Sequence, residues 1–581
     1  VKLPGWVKGI LVILYFTAVS VIVTYPLITH LSTRMIGSIG DNIYFIWLIG
    51  WFKKALFELH VNPFNIWFLN YPAGWNLAYT EISPAQLLLG MPFALIFNPM
   101  TGYNVSMLMT FILSGINMYL WMKHLTGKTS VAIIIGTAFA ILPYHLAHFL
   151  IGHLNISGIQ WFPLFFWGLF ELMKGDPSPE KKKYILLTGI GFGLIGMTSM
   201  YCLYMAVLVA GALVVANLFF IRKKVLTWNF WKPLLIAGLI SIPFVAFSVW
   251  PYLTLNAQGG IPDRNLETVR LLAASASPLD YLLPSTDHFL VGKWVNDHFN
   301  RQLWIETSLY VGIMNIIFAG VTLFARKETR EKEFIILLLV GIALAWVLSL
   351  GTDLFWNDER LQVQLTGFFA KLLNRTETYI ILPDYFLFKY LPFFSKMRVF
   401  ARFGIFVLIF ILVLSAMGLT KILDRFRNKK AALVFSVFIL GAVWLEFYPG
   451  VYETTSSIET RSVDIWLAEQ PGEGAVIQFP IEESEDQILV YATLIHGKPF
   501  VGGFFNAFPP LQYQEIKPIM ANFPDETSIG LLDELKVRYV LVDKTAYDET
   551  PQSIINRCKL LGLQYVSTMG DEIVFLHDLE E

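Results

Sequence analysis

A chain of 581 residues that is 55% hydrophobic and 15% aromatic but only 15% charged falls well short of the roughly 25% charge of a soluble domain, and so reads as a polytopic membrane protein. Its 43 Lys plus Arg against 44 Asp plus Glu leave a net charge of -1, which gives no electrostatic case for nucleic-acid binding. The two cysteines, Cys202 and Cys558, have neither metal-ligand spacing nor the makings of a disulfide framework.

The first apolar run, from about Ile10 to Ile28, is longer than a secretory h-region and lacks a small-residue cleavage site, so a retained signal-anchor helix is expected. Next comes SIGDNIYFIWLIGWF, residues 38 to 52. It predicts an interfacial helix over 42–58 with Asp41 at its head, Asn42 and Lys53 on one side, and Trp47 and Trp51 as headgroup-level anchors. Asp41 there has two compatible readings, a cap for the first-turn amides and a carboxylate held in place for base chemistry. Glu81 closes the same loop, as a solvated acid or a second site carboxylate, after a stretch rich in Asn, Tyr, Trp and Pro that offers stacking rings and amide hydrogen bonds as readily as turns.

Runs long enough to cross roughly 30 Å of hydrocarbon begin near residues 10, 103, 130, 156, 184, 202, 232, 308, 334, 402 and 431, about eleven in all. Alternating them from a cytoplasmic N-terminus puts every short basic loop inside: Lys2 and Lys8; Lys123 and Lys128; Lys174 with Lys181 to Lys183; Arg222, Lys223 and Lys224; Arg326, Lys327, Arg330 and Lys332; and Lys421 to Lys430. The run at 83–99 breaks that pattern if it crosses, so the positive-inside rule makes it a juxtamembrane or re-entrant helix. Four segments then face outward: 29–102, 251–307, 351–400 and the tail from about 450.

Further outward residues invite a role. His145 and His148 lie three apart at the outer end of the third span, with His153 in the following turn; they read as ligands for a divalent metal or a phosphate, or as amphipathic anchors. Asp280, Asp287 and His288 sit in a loop that reads first as solvated. Arg398 and Arg402, four apart at the entrance of the tenth span with Lys396 beside them, are either snorkelling cations or forked donors for a lipid-linked phosphate. The tail changes character: GAVIQFPI, VRYVLVDK and EIVFLHDL read as strands, 526–536 as a helix, and Gly570-Asp571 as a hairpin turn.

Taken together, the acid after the first span, NPF with YPAGWNLAYTEISP, the short segment ending in FNP, and the spans GYNVSMLMTFILSGINMYLWMKHLTG and AIIIGTAFAILPYHLAHFLIGHLNI resemble the membrane glycosyltransferases of the GT-C superfamily. LPFFSKMRVFARF, GAVIQFPI and LLDELKVRYVLVDK are similar to its YfhO-like bacterial and archaeal members. The resemblance implies a GT-C-like fold over 1–450 with an extracytoplasmic α/β domain over 451–581. It implies Asp41 as catalytic base or metal ligand and Glu81 as a substrate-positioning acid. The partners would be a polyprenyl-phosphate-linked sugar donor, a lipid, glycan or protein acceptor, and membrane lipids, at the cytoplasmic membrane. A divalent cofactor, Mg or Mn, would fit the superfamily, but Asp41-Asn42 replaces its common acidic pair, which argues against a metal bound through the first loop alone. The rivals are a transporter and a non-catalytic envelope-assembly protein; span centres nearly free of ionisable residues count against the transporter.

Overall fold

The computed structural model describes residues 4–175, 180–220, 227–271, 274–300, 303–325, 328–367, 376–472, 474–481, 486–504 and 509–578. Every one of the eleven predicted runs is helical. Among the described residues eight helices are long and apolar enough to cross a membrane: Gly5–Val23, Pro99–Thr126, Thr129–Ile151, Met200–Phe219, Trp228–Ala257, Thr329–Ser349, Ala401–Asp424 and Lys429–Phe447. The other three runs form the shorter helices Phe162–Met173, Lys181–Thr198 and Ile313–Phe324. The third span is two helices in series, Thr129–Ala140 and Pro143–Ile151, because Pro143 has no amide hydrogen to continue the ladder.

Pro84–Ile96 is a 13-residue helix, about 20 Å long at 1.5 Å per residue and so too short to span. It packs against Pro99–Thr126 where Gly90 meets Gly102; a Cβ on Gly90 would stand 2.4 Å from the Gly102 carbonyl oxygen, so no larger residue permits this approach.

The basic loops gather at one end of the bundle, the cleft described below at the other. Lys128 pairs with Asp424 at 2.7 Å, Lys174 with Glu171 at 2.6 Å, and Lys421 with Glu331. Ala401–Asp424 links the two ends directly, since Arg402 opens it at the cleft and Asp424 closes it at the basic end. Arg222, Lys223, Lys224, Arg326 and Lys327 lie outside the described residues.

One prediction is corrected. The segment expected to lie at the interface is the helix Asp41–Lys53, continued by a wider turn over Lys54–Glu58, and from Asn42 to Phe52 it is buried. Trp47 and Trp51 are not headgroup anchors. They stack on each other with centroids 6.3 Å apart, and their indoles donate to Thr493 Oγ1 and the Pro63 carbonyl. The helix is sandwiched between the bundle and the tail helix Asp486–His496, which is why its sequence is apolar all round.

The tail is built on four strands, β1 (Ala475–Phe479), β2 (Val537–Asp543), β3 (Gln564–Met569) and β4 (Glu572–Leu576), in the order β3-β4-β2-β1. β1 and β2 run parallel; β4 pairs antiparallel with β2 and β3. The predicted hairpin turn is present, with Gly570 at φ 65°, a conformation glycine adopts without Cβ strain. Alternation along the strands divides the sheet. Ile477, Val540, Val542 and Ile573 fill a core internal to the tail, whereas Val476, Tyr539, Leu541 and Val574 join the core continuous with the bundle. Beyond β1 the sheet continues into the loop that follows the first span: Val476 N–H donates to the Pro499 carbonyl, Phe500 N–H to the Phe68 carbonyl, and Tyr71 N–H to the Phe500 carbonyl, at 2.8 to 3.0 Å.

Arg461 pins this unit by bonding Asp464, Gln478 and Glu572. Burial pushes the Glu572 carboxyl up to about 7, against the pull of Arg461. A folded-state pKa above the unfolded value favours the native state at low pH. The contribution of Glu572 is therefore full below about pH 4 and is lost as pH rises from there to about 7. Glu572→Gln is expected to flatten the pH dependence of tail unfolding in that window, read by hydrogen exchange of β2 and β4; an unchanged profile would remove Glu572 as its source.

Candidate active site

A cleft of about 380 Å³ opens where the loop after the first span meets the ends of the helices Met200–Phe220, Trp228–Ala257 and Ala401–Asp424. Its lining includes Asp41, Glu81 and His153, the cations Arg264, Lys396, Arg398 and Arg402, and Tyr201, Tyr204, Tyr252 and Leu253.

Asp41 is the first helical residue of Asp41–Lys53, and Gly40 holds the cap position. Its partner is set by a glycine. Gly152 ends the helix Pro143–Ile151 at φ 83°, and a Cβ there would come within 2.5 Å of Asn42 Cβ and 2.7 Å of its backbone nitrogen. Only glycine allows the chain to pass so close, and that passage delivers His153, whose Nε2 stands 3.1 Å from Asp41 Oδ2.

Behind this contact runs a connected series. His153 Nδ1 faces His148 Nδ1 at 2.9 Å, and His148 Nε2, buried without a hydrogen-bond partner among the described residues, points at Glu306 Oε2 from 3.7 Å. Arg402 holds Glu306 with both arms of its guanidinium, Nε donating to Oε2 at 2.9 Å and the other nitrogen to Oε1. Burial drives the Glu306 carboxyl up, but Arg402 and then His148 outweigh it and hold it well below the usual carboxylate range. Arg402 also lies over the Tyr201 ring at 5.0 Å.

Glu81 is a tie point. Its carboxylate accepts from Asn155 Nδ2, from Ser199 Oγ at 2.9 Å and from the Tyr201 amide at 3.2 Å, fastening the first loop to the 152–158 turn and to the start of Met200–Phe220. The Tyr201 hydroxyl in turn accepts the backbone N–H groups of Arg398 and Val399. Asp263 receives Lys396 at 3.0 Å and Ser395 Oγ at 2.6 Å. Burial, and then the neighbouring Arg398, push the Arg264 guanidinium below its ordinary value, as expected where like charges converge on a place for an anion.

Asp41, Glu81, His153, Lys396, Arg398 and Arg402 are thus brought together. Two candidates stand elsewhere. His145 is enclosed in the bundle, with its ring nitrogens on the Ala140 carbonyl and Thr110 Oγ1 and its face stacked on Phe111 at 3.9 Å; it has no atom left for substrate or metal. Asp280 is buried in a capping box with Ser277 and serves the loop. Arg402 itself is 7% exposed, so it is a buried, paired cation and not a snorkelling one. Asn155, Tyr201, Arg264 and Glu306 enter the cleft or its support without a motif of their own. Only Glu306 had a signal, an acid directly before the apolar run that starts near 308.

His148, His153 and Glu306 place ligand atoms within 4.8 Å of one another, close enough to hold a metal ion together. Two imidazoles and one carboxylate suit zinc better than Mg or Mn, which select oxygen donors, and Glu306 already gives both oxygens to Arg402.

No family model matches the chain, and no curated protein does. Solved structures do. The oligosaccharyltransferase of Archaeoglobus fulgidus, tethered to an acceptor peptide containing the NVT sequon, superposes with a TM-score of 0.51 at 14% identity over 92% of this chain and 69% of that one. ArnT from Cupriavidus metallidurans bound to undecaprenyl phosphate gives a TM-score of 0.49 at 9% identity over 98% of each chain. The first of these establishes a shared fold.

Proposed function

We propose that the chain is an integral-membrane glycosyltransferase of the GT-C type, close to the YfhO-like members. It moves a sugar from a polyprenyl-phosphate donor to a lipid, glycan or protein acceptor on the extracytoplasmic face. The observation that carries this reading is a single cleft holding an oriented carboxylate, Asp41 on His153, together with the cations Arg264, Lys396, Arg398 and Arg402. The shared fold supports it, and the apolar and aromatic side chains that share the lining suit a lipid-linked sugar.

In this mechanism Asp41 takes the proton of the acceptor hydroxyl as that oxygen attacks the anomeric carbon. The bond from that carbon to the phosphate oxygen breaks, its electron pair stays on the phosphate, and configuration inverts. Arg398 and Arg402 balance the charge gained by the leaving group. Purified protein should release sugar from at least one member of a polyprenyl-phosphate-sugar panel when acceptors are supplied; failure with every donor would reject the reading. Arg398 is exposed, so Arg398→Gln is expected to raise donor KM about tenfold while leaving the melting temperature unchanged. Unchanged donor affinity would return Arg398 to a snorkelling role.

The orientation has its own check. A cysteine at position 79 is expected to react with an impermeant thiol reagent applied from outside, and one at position 128 is not. The reverse pattern would place the cleft on the cytoplasmic side.

A further inference from the structure

Glu306 does not line the cleft, yet it is buried at 8% exposure and connects two residues that do, Arg402 directly and His153 through His148. It lies in the turn Leu303–Thr307, whose amides at 306 and 307 both return to the Leu303 carbonyl. From there its carboxylate takes both arms of Arg402 and stands 3.7 Å from Nε2 of buried His148, which has no hydrogen-bond partner among the described residues. His148 continues to His153 and His153 to Asp41. A buried carboxylate that takes both arms of a guanidinium fixes its orientation, because turning away would leave two buried charges unpaired, and it is the group that His148 Nε2 faces.

We infer that Glu306 is a positioning residue that holds Arg402 at the donor phosphate and, through the His148–His153 pair, holds Asp41 at the acceptor. This rests on the glycosyl-transfer reading. Charge is what the position requires: a glutamine fills the same space but meets Arg402 with one acceptor and one competing donor. Both the donor-binding and the base side of the cleft then loosen together. A residue serving only the fold would lower the amount of folded protein and leave the KM and kcat of what remains unchanged.

The test compares wild type, Glu306→Gln and Glu306→Asp. Melting temperature, affinity for undecaprenyl phosphate, donor KM and kcat are measured on each. Glu306→Gln should weaken lipid-phosphate binding and raise donor KM about tenfold or more and lower kcat per folded molecule by a similar factor. Glu306→Asp, which keeps the charge, should recover part of both. If Glu306→Gln fails to fold, Glu306→Asp decides: it keeps the charge but draws the carboxylate back by one methylene, so it should melt near wild type yet bind and turn over several-fold less well. Wild-type binding and kinetics in Glu306→Gln, or in Glu306→Asp where the glutamine variant does not fold, overturn the inference. Absence of sugar transfer by wild type with every donor defeats the glycosyl-transfer reading alone. Undecaprenyl phosphate binding still decides the placement of Arg402 in that event, and equal binding by wild type and the variants overturns it.

Discussion

Asp41→Asn is expected to reduce sugar-transfer turnover on the order of 100-fold or more while the protein is made and folded at normal levels. The substitution isolates charge and basicity from shape. Gly40, not Asp41, holds the cap position, so little capping is at risk. What the helix loses is one acid in its first turn, worth about 0.3–1 kcal/mol against the macrodipole. The amide oxygen of asparagine can still accept from His153 Nε2, which keeps the turn after Gly152 in place. Proton-accepting power is gone, and with it the group that takes the acceptor's proton. Initial rates at saturating donor, with melting curves of the same preparation, make the comparison. Turnover within threefold of wild type in a well-folded variant would show that the acid serves structure alone.

Arg402→Gln should behave differently from Arg398→Gln in one respect that sequence position does not suggest: it should destabilise the protein by about 3–5 kcal/mol, because it strands the buried Glu306 carboxylate. The two arginines are four residues apart, on one face by helical spacing. The structure separates them. Arg398 is exposed, with its backbone amide on Tyr201, whereas Arg402 is buried under the cleft with Glu306 and the Tyr201 ring. Thermal unfolding of both variants in the same detergent reads the difference. Arg402→Gln should also lose donor turnover, so the comparison is made per folded molecule. Equal melting of the two variants would mean that Glu306 finds another partner.

The helices were legible because a membrane span announces itself by length and apolarity alone, and the tail strands because alternation and a Gly-Asp turn are local signals. Asp41 and the Lys396–Arg402 cluster stood out for the same reason, as charges at the ends of apolar runs. Trp47 and Trp51 show the limit of that logic. An apolar, tryptophan-rich helix has the same composition whether its outer side meets lipid headgroups or, as here, another helix of the same protein. Glu306 and Arg402 lie 96 residues apart, and Glu81 and Tyr201 lie 120 apart. No spacing rule connects such pairs, and only the packing of several spans brings them together. His145 was misplaced by a related shortfall: helical periodicity sets it on a face with His148 but does not say that Phe111 and Thr110 cover it.

The sandwiched helix has a consequence for the time course of synthesis. Trp47 meets Thr493 across 446 residues of chain, and Met35 pairs with Ser456. At about 5–20 residues per second, the helix that carries Asp41 waits roughly 20–90 s after it emerges before its second wall exists. For that interval its apolar flank is uncovered and the cleft is incomplete. The nascent protein is then most exposed to proteases and to wrong partners at the place that later becomes its most enclosed, and a ribosome that stalls before residue 490 leaves behind a chain with its spans in place and its Asp41 helix half-covered.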